Sequence, residues 1–144
     1  MEFQNFQKEF RNGGRVVENR RKTAAAFAAG AVAYCALETL WRGRTHPSMA
    51  LCGGTVVVLF RKMAARARSR LLLWLRGCLL ITGCELLCGL LFNRDRSVWD
   101  YSRRWGNLWG QICPLFSCLW FLLCIPLTAL CPLLERHLDL LDNR

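Results

Sequence analysis

The sequence predicts an all-α fold, a polytopic membrane helix bundle of about four transmembrane helices with an interfacial or re-entrant segment in the third loop. Two observations carry this. The 144 residues are 53% hydrophobic yet hold a formal net charge of +10, a combination that soluble domains rarely show. The apolar residues also fall into blocks, while Lys and Arg collect in the short stretches between them, the pattern of a chain that crosses a bilayer repeatedly.

The opening segment spaces Phe3, Phe6 and Phe10 as a helix would, before Gly13-Gly14 interrupts the pattern. This segment reads either as a short amphipathic helix on the membrane surface or as a loosely ordered tail. The stretch Met1 to Lys22 lacks the apolar core of a secretory signal, so the first apolar block is expected to remain in the mature protein.

That block, about Thr23 to Trp41, is rich in Ala and Gly, which suits close helix contact more than lipid exposure. The second, about His46 to Met63, is short and carries Gly53-Gly54; with about 20 residues needed to span, it is the weakest of the four. The third, about Leu71 to Phe92, is long and Leu-rich. The fourth, about Gln111 to Leu134, contains Pro114, Pro126 and Pro132. The domain plan is then a basic cytoplasmic N-terminal segment 1–22, a membrane domain 23–134 and a short cytoplasmic tail 135–144.

Orientation follows from basic charge. With four spans, the two tails and the second loop hold thirteen Lys and Arg, against six in the first and third loops. Both termini are therefore expected in the cytoplasm, with the protein in the cell membrane. Trp41, Trp99, Trp105 and Trp109 then fall at the outer boundary and Trp74 at the inner one. Trp105, Leu108, Trp109 and Ile112 recur at three and four residues, the basis for expecting an interfacial or re-entrant helix before the last span.

Two acidic residues lie inside apolar blocks, Glu38 and Glu85. A charge at the bilayer centre costs about 2.5 kcal/mol or more, so such residues are functional candidates. Each lies about 14 residues from the inner start of its helix, roughly 21 Å deep at 1.5 Å per residue. Facing one interface, they would form a protonated, hydrogen-bonded pair able to bind a cation or relay a proton. The structural alternative pairs Glu38 with Arg42 one turn on and makes Glu85 a neutral packing residue. Cys78, Thr82, Cys88 and Gly89 share the Glu85 face, which is expected to meet another helix. The spacing of Cys35, Glu38 and Gly43 against Cys84, Glu85 and Gly89 hints at a weak parallel repeat of two helical hairpins.

Several classes are set aside. The basic residues flank apolar blocks and form no stripe with spaced aromatics, so nucleic acid is not an expected partner. The nine cysteines lie mostly inside apolar blocks, where Cys packs as a small residue, and no CxxC pair or nearby His suggests a metal. No nucleophile–base constellation is visible, since His46 and His137 fall on opposite sides; no enzyme activity and no cofactor are expected.

The run Val98-Trp99-Asp100-Tyr101-Ser102, then Asn107, Gly110-Gln111-Ile112-Cys113, Phe116-Ser117 and Leu119-Trp120-Phe121, resembles the putative type IV ABC-transporter permease-like family of bacterial membrane proteins. Tyr34, Leu37-Glu38-Thr39, Gly43, Ser48, Gly53-Gly54, Glu85, Gly89 and Asn93 extend the resemblance over about Tyr34 to Leu123. It implies a transport permease, and because four helices enclose little room for a pathway, a second copy or a partner would be needed. Because the chain has no GxxxxGK[ST] sequence, the ATPase would be a separate partner, alongside membrane lipids. In the outer-loop motif that begins at Trp99, the residues Asp100, Tyr101 and Ser102 would cap the next helix or bind backbone, and Asn107 and Gln111 would present amides to one cavity; the motif reads as an anchored loop or as an outer substrate gate. The alternatives to a permease are an accessory or structural multi-pass protein and a small ion- or proton-coupled carrier.

Overall fold

A computed structural model describes residues 2–12 and 20–142 of the chain. Five helices follow one another, α1 (Glu2–Asn12), α2 (Arg20–Arg42), α3 (Pro47–Arg66), α4 (Arg70–Phe92) and α5 (Pro114–Asp142). The last four are long and apolar enough to cross a membrane, with spans Arg20–Arg42, Pro47–Arg66, Arg70–Phe92 and Pro114–Leu140. No strand occurs among the described residues, and the protein is an all-helical membrane protein.

Local chemistry sets the helix ends. Gly43 adopts φ +71° after the last turn of α2 and its N–H returns to Thr39 O, a left-handed stop that a Cβ would disfavour. Three residues on, His46 caps α3 through Nδ1, and Pro47 occupies the first helical position, where its missing N–H has no partner to lose. Ser69 caps α4 in the same manner. Inside α5, Pro126 and Pro132 each remove one ladder hydrogen bond, and Thr128 turns its hydroxyl back to Cys124 O nearby.

The helices pack chiefly as two hairpins, α2 on α3 and α4 on α5, closed into a bundle by α3 against α4 and α2 against α5. The short second block, the least certain from its length, proves to be the centre: α3 touches every other helix and most of its apolar window is buried, whereas α2, α4 and α5 leave most of theirs exposed. Small residues permit this. A Cβ on Gly30 would stand 2.5 Å from Gly53 O, and one on Gly53 2.7 Å from Gly30 O, so the α2 and α3 backbones nearly touch.

At one end of the bundle α1 docks against α3 and α5. Phe6 is buried there, Phe3 carries the Arg70 guanidinium 5.6 Å from its ring centroid, and Gln7 Nε2 donates to Ala64 O and Ala67 O at the end of α3. Of the two readings of the first segment, a helix forms, but it lies on the bundle itself. The side chain of Phe10 falls outside the described residues. The same end holds Arg61 Nη1 donating to Glu135 Oε2 at 3.0 Å, and the Lys22–Asp139 ion pair between α2 and α5. Arg61, counted from sequence as part of a cytoplasmic loop, is almost wholly buried within α3. The apolar run Met63-Ala64-Ala65 after it was the sign that the helix continues.

Residues 93–113 form the opposite end, and here the structure departs from expectation. The three- and four-residue recurrence of Trp105, Leu108, Trp109 and Ile112 makes no helix; the stretch is a series of turns with one bridge between Leu108 and Ile112. Left-handed backbone at Gly106, Trp109 and Gly110 interrupts any helical path. Trp105 and Trp109 are nevertheless largely exposed, as interfacial indoles would be.

Candidate functional site

Glu85 lies on α4, about two turns before its end, and only 4% of it is exposed. A carboxylate so placed needs donors, and two elements distant in sequence supply them. The Tyr101 hydroxyl donates to Oε1 at 3.0 Å and the Trp120 indole N–H to Oε2 at 2.8 Å. Phe116 stacks on Tyr101 with ring centroids 4.4 Å apart and leans on Trp120, fixing both donors in place. Phe116 and Trp120 are four apart on α5, which is how one helix face can hold a ring stack and a donor together. Burial first, then the neighbouring Glu85 carboxylate, pushes the Tyr101 phenol well above its ordinary value of 10.0, so it stays a donor at neutral pH.

Glu38, equally buried, has its own partners. The Arg42 guanidinium lies 3.3 Å from Oε1 and Thr45 Oγ1 donates to Oε2 at 3.3 Å. Arg42 also donates to Val98 O at 2.8 Å, tying the end of α2 to the loop. Glu38 and Arg42 are within electrostatic reach of Glu85, but the two carboxyls share no hydrogen bond among the described residues. The pair expected from their matching depth is replaced by two carboxyls with separate partners, Glu38 Oε1 meeting Arg42 as an ion pair without a hydrogen bond. A cavity of about 300 Å³ opens beside Glu38, lined also by Arg44, Thr45, His46 and Ser97.

The loop above Glu85 is held by amides. Asn93, fully buried at the end of α4, donates through Nδ2 to Trp99 O at 2.6 Å and to Gln111 Oε1 at 3.1 Å, and accepts from Val98 N at 2.9 Å. Gln111 Nε2 donates back to Asn93 O, while the Trp99 indole N–H donates to Gln111 O, both at 2.9 Å. Gly89 makes room: a Cβ there would stand 2.3 Å from Gln111 Oε1. Asn107 does not join this group. It donates to Ser102 O and Arg104 O and accepts from Gly110 N, so it organises the outer turn, whereas the Gln111 amide is bound to Asn93.

Asp100 and Ser102 are exposed and cap no helix. Instead Asp100 Oδ1 accepts the Ser102 N–H at 2.8 Å, closing a turn that aims Tyr101 inward. That backbone bond, then the Ser102 hydroxyl, holds the Asp100 carboxyl below its ordinary 3.8. Tyr101 N donates to Gly110 O at 2.8 Å, clamping the turn against the other side of the loop.

The expected helix contact of the Glu85 face is present. Cys78 Sγ reaches Ser117 O at 3.2 Å and Thr82 Oγ1 reaches Ser117 Oγ at 3.2 Å on α5, while Cys88 Sγ faces Ser48 O on α3 at 3.8 Å. No group of His, Cys, Asp and Glu among the described residues could hold a metal ion. A family model described as Putative ABC-transporter type IV matches residues 46–144, well over half of the chain. The chain belongs to that family. This ABC-transporter family member therefore carries Glu85, Tyr101, Trp120, Asn93 and Gln111 inside the matched region, whereas Glu38 and Arg42 precede it. Searches of curated proteins and of solved structures return no match. The family and the four apolar helices make the chain a transport-related membrane protein.

The sites that sequence reasoning missed are the partners. Asn93 and Trp120 entered only through the family resemblance, and Glu135 and Asp139 only as part of a tail. Spacing within one helix cannot reveal contacts between α4, α5 and a loop.

Proposed function

We propose that the chain is a membrane-embedded, permease-like subunit of an ABC-type transporter, with its ATPase on a separate chain, and that it works as an oligomer in the cell membrane. Both termini lie in the cytoplasm in this reading, supported by the thirteen-to-six bias of basic residues. The segments 1–22 and 135–144 then flank the membrane domain on the ATPase side. Family membership supports the class.

The observation that carries the reading is the buried Glu85 carboxylate held by Tyr101 of the outer loop and by Trp120 of α5. Any displacement of the loop removes a donor from a buried carboxyl group, so loop position and the state of that group are linked. The chain encloses little space around this site, and a pathway would form against a second copy or a partner. Purification from a mild detergent after crosslinking is expected to bring down a nucleotide-binding protein; its repeated absence would count heavily against a permease role.

A second reading, an accessory or structural membrane protein, is favoured by Glu85 having a donor on each oxygen. Replacing Glu85 by Gln separates them. Transport lost with assembly intact supports the permease; assembly lost supports the packing role.

A further inference from the structure

Between the last turns of α3 and the first turns of α4 runs a groove of about 340 Å³. Its rim is basic, with Lys62, Arg66, Arg68 and Arg76, and none of the described residues that line it is acidic. Its floor is apolar, with Leu59, Leu72 and Leu80 along its length, and Leu59 and Leu72 stay substantially exposed on the bundle surface. The amino terminus of α4 opens on the rim at Ser69 and has no acidic residue in its first turn, so the positive end of that helix adds to the four side chains.

The two halves of the groove ask for different chemistry. Arg76 is six residues into α4, about 9 Å below its start, so the cations extend from the helix end to the depth of the upper acyl region. A free anion would satisfy the rim and leave the leucine floor empty; an acyl chain alone would leave like charges crowded together. We propose that this groove binds an anionic glycerophospholipid, its phosphodiester among Arg66, Arg68 and Arg76 and one acyl chain along Leu59, Leu72 and Leu80. Basic hollows between spanning helices recognise anionic headgroups in this way. The site rests on the four membrane spans and not on the transport reading.

The test uses the full chain, purified in mild detergent, delipidated and offered equal amounts of phosphatidylglycerol and phosphatidylcholine, with bound lipid read by native mass spectrometry. Phosphatidylglycerol is expected to be retained preferentially, and Arg66→Gln and Arg76→Gln should each lower that preference about fivefold. Arg103→Gln with Arg104→Gln, equal charge removed at the other end of the bundle, should leave it unchanged. Leu72→Trp fills the floor without touching a charge and should also reduce lipid retention while the helical melt stays in place. Equal binding of the two lipids would overturn the proposal, as would an equal loss in the Arg103/Arg104 control or full retention in Leu72→Trp. A separate arm offers soluble glycerol 1-phosphate: displacement of the lipid at matched concentration would mean that the groove reads a free phosphate ester and not a lipid.

Discussion

At Glu85, two donors from different elements meet one carboxylate, and their removal is separable. Tyr101→Phe deletes only the hydroxyl, leaving the stack on Phe116 and one oxygen of Glu85 without its protein donor. An unsatisfied buried acceptor costs about 1–3 kcal/mol, so this variant should melt earlier in detergent, with the helical signal before the melt unchanged. Trp120→Phe should act in the same direction, and the double variant should cost less than both singles added, because the two donors share one acceptor group. Asp100 makes a pH-dependent contribution. Its carboxyl is held down mainly by the Ser102 N–H, so the stabilisation is present above the unfolded value and is lost as pH falls through the lower folded one. Acidification is expected to loosen the 100–102 turn only below the ordinary 3.8, read as a shift of the Ser102 amide resonance, and Asp100→Asn should abolish that titration.

The element scale is governed by small residues. Gly53 sits where a Cβ would lie 2.4 Å from Tyr34 Cβ and 2.7 Å from the Gly30 carbonyl, a backbone atom that cannot step aside. Gly53→Ala must push α2 away from α3 and is expected to cost about 1–3 kcal/mol. Gly83, in the interior of α4, has open space where its Cβ would be. Gly83→Ala should be neutral or stabilising by about 0.5–1 kcal/mol, since alanine suits a helix better. Unfolding curves of the two variants in one detergent provide the comparison; equal effects would mean that the α2–α3 contact is not close. The loop 93–113 is ordered without a helix because Asn93, Gln111 and Asn107 supply the hydrogen bonds that regular structure would otherwise provide.

For the whole molecule, polar contacts lock both ends of an apolar bundle: the Glu85 and Asn93 groups at the loop end, and the Arg61–Glu135 and Lys22–Asp139 pairs at the other. Both pairs reach across to α5, from α3 and α2. Breaking the more buried pair by Arg61→Ala or Glu135→Ala is expected to cost about 3–5 kcal/mol, because the remaining charge stays buried, while Arg61→Met with Glu135→Leu should recover most of that loss. Thermal unfolding of the two singles and the double decides this; a double as unstable as the worse single would mean that the charges do more than pair. Such pairs also explain why the charge count could not separate loop residues from buried ones: Arg61 adds to the count yet lies within the bundle.

The sequence by itself determined the class, the four spans and the intramembrane acids, because these follow from composition, block length and the cost of charge in lipid, all of which are local. Through the family resemblance it also marked Trp99, Asp100, Tyr101 and Gln111 as a motif. Only the tertiary structure decided what those residues do. It made the shortest span the core, since Gly30, Gly53 and Gly54 let α2 approach α3 closely. It turned a helix-like spacing into an amide-stapled loop, because left-handed backbone at Trp109 and Gly110 stops the helix. It left Glu38 with Arg42 one turn on and Thr45 just beyond the helix, but gave Glu85 the donors Tyr101 and Trp120, which come from a loop and a helix that pack beside it and not from its neighbours in sequence.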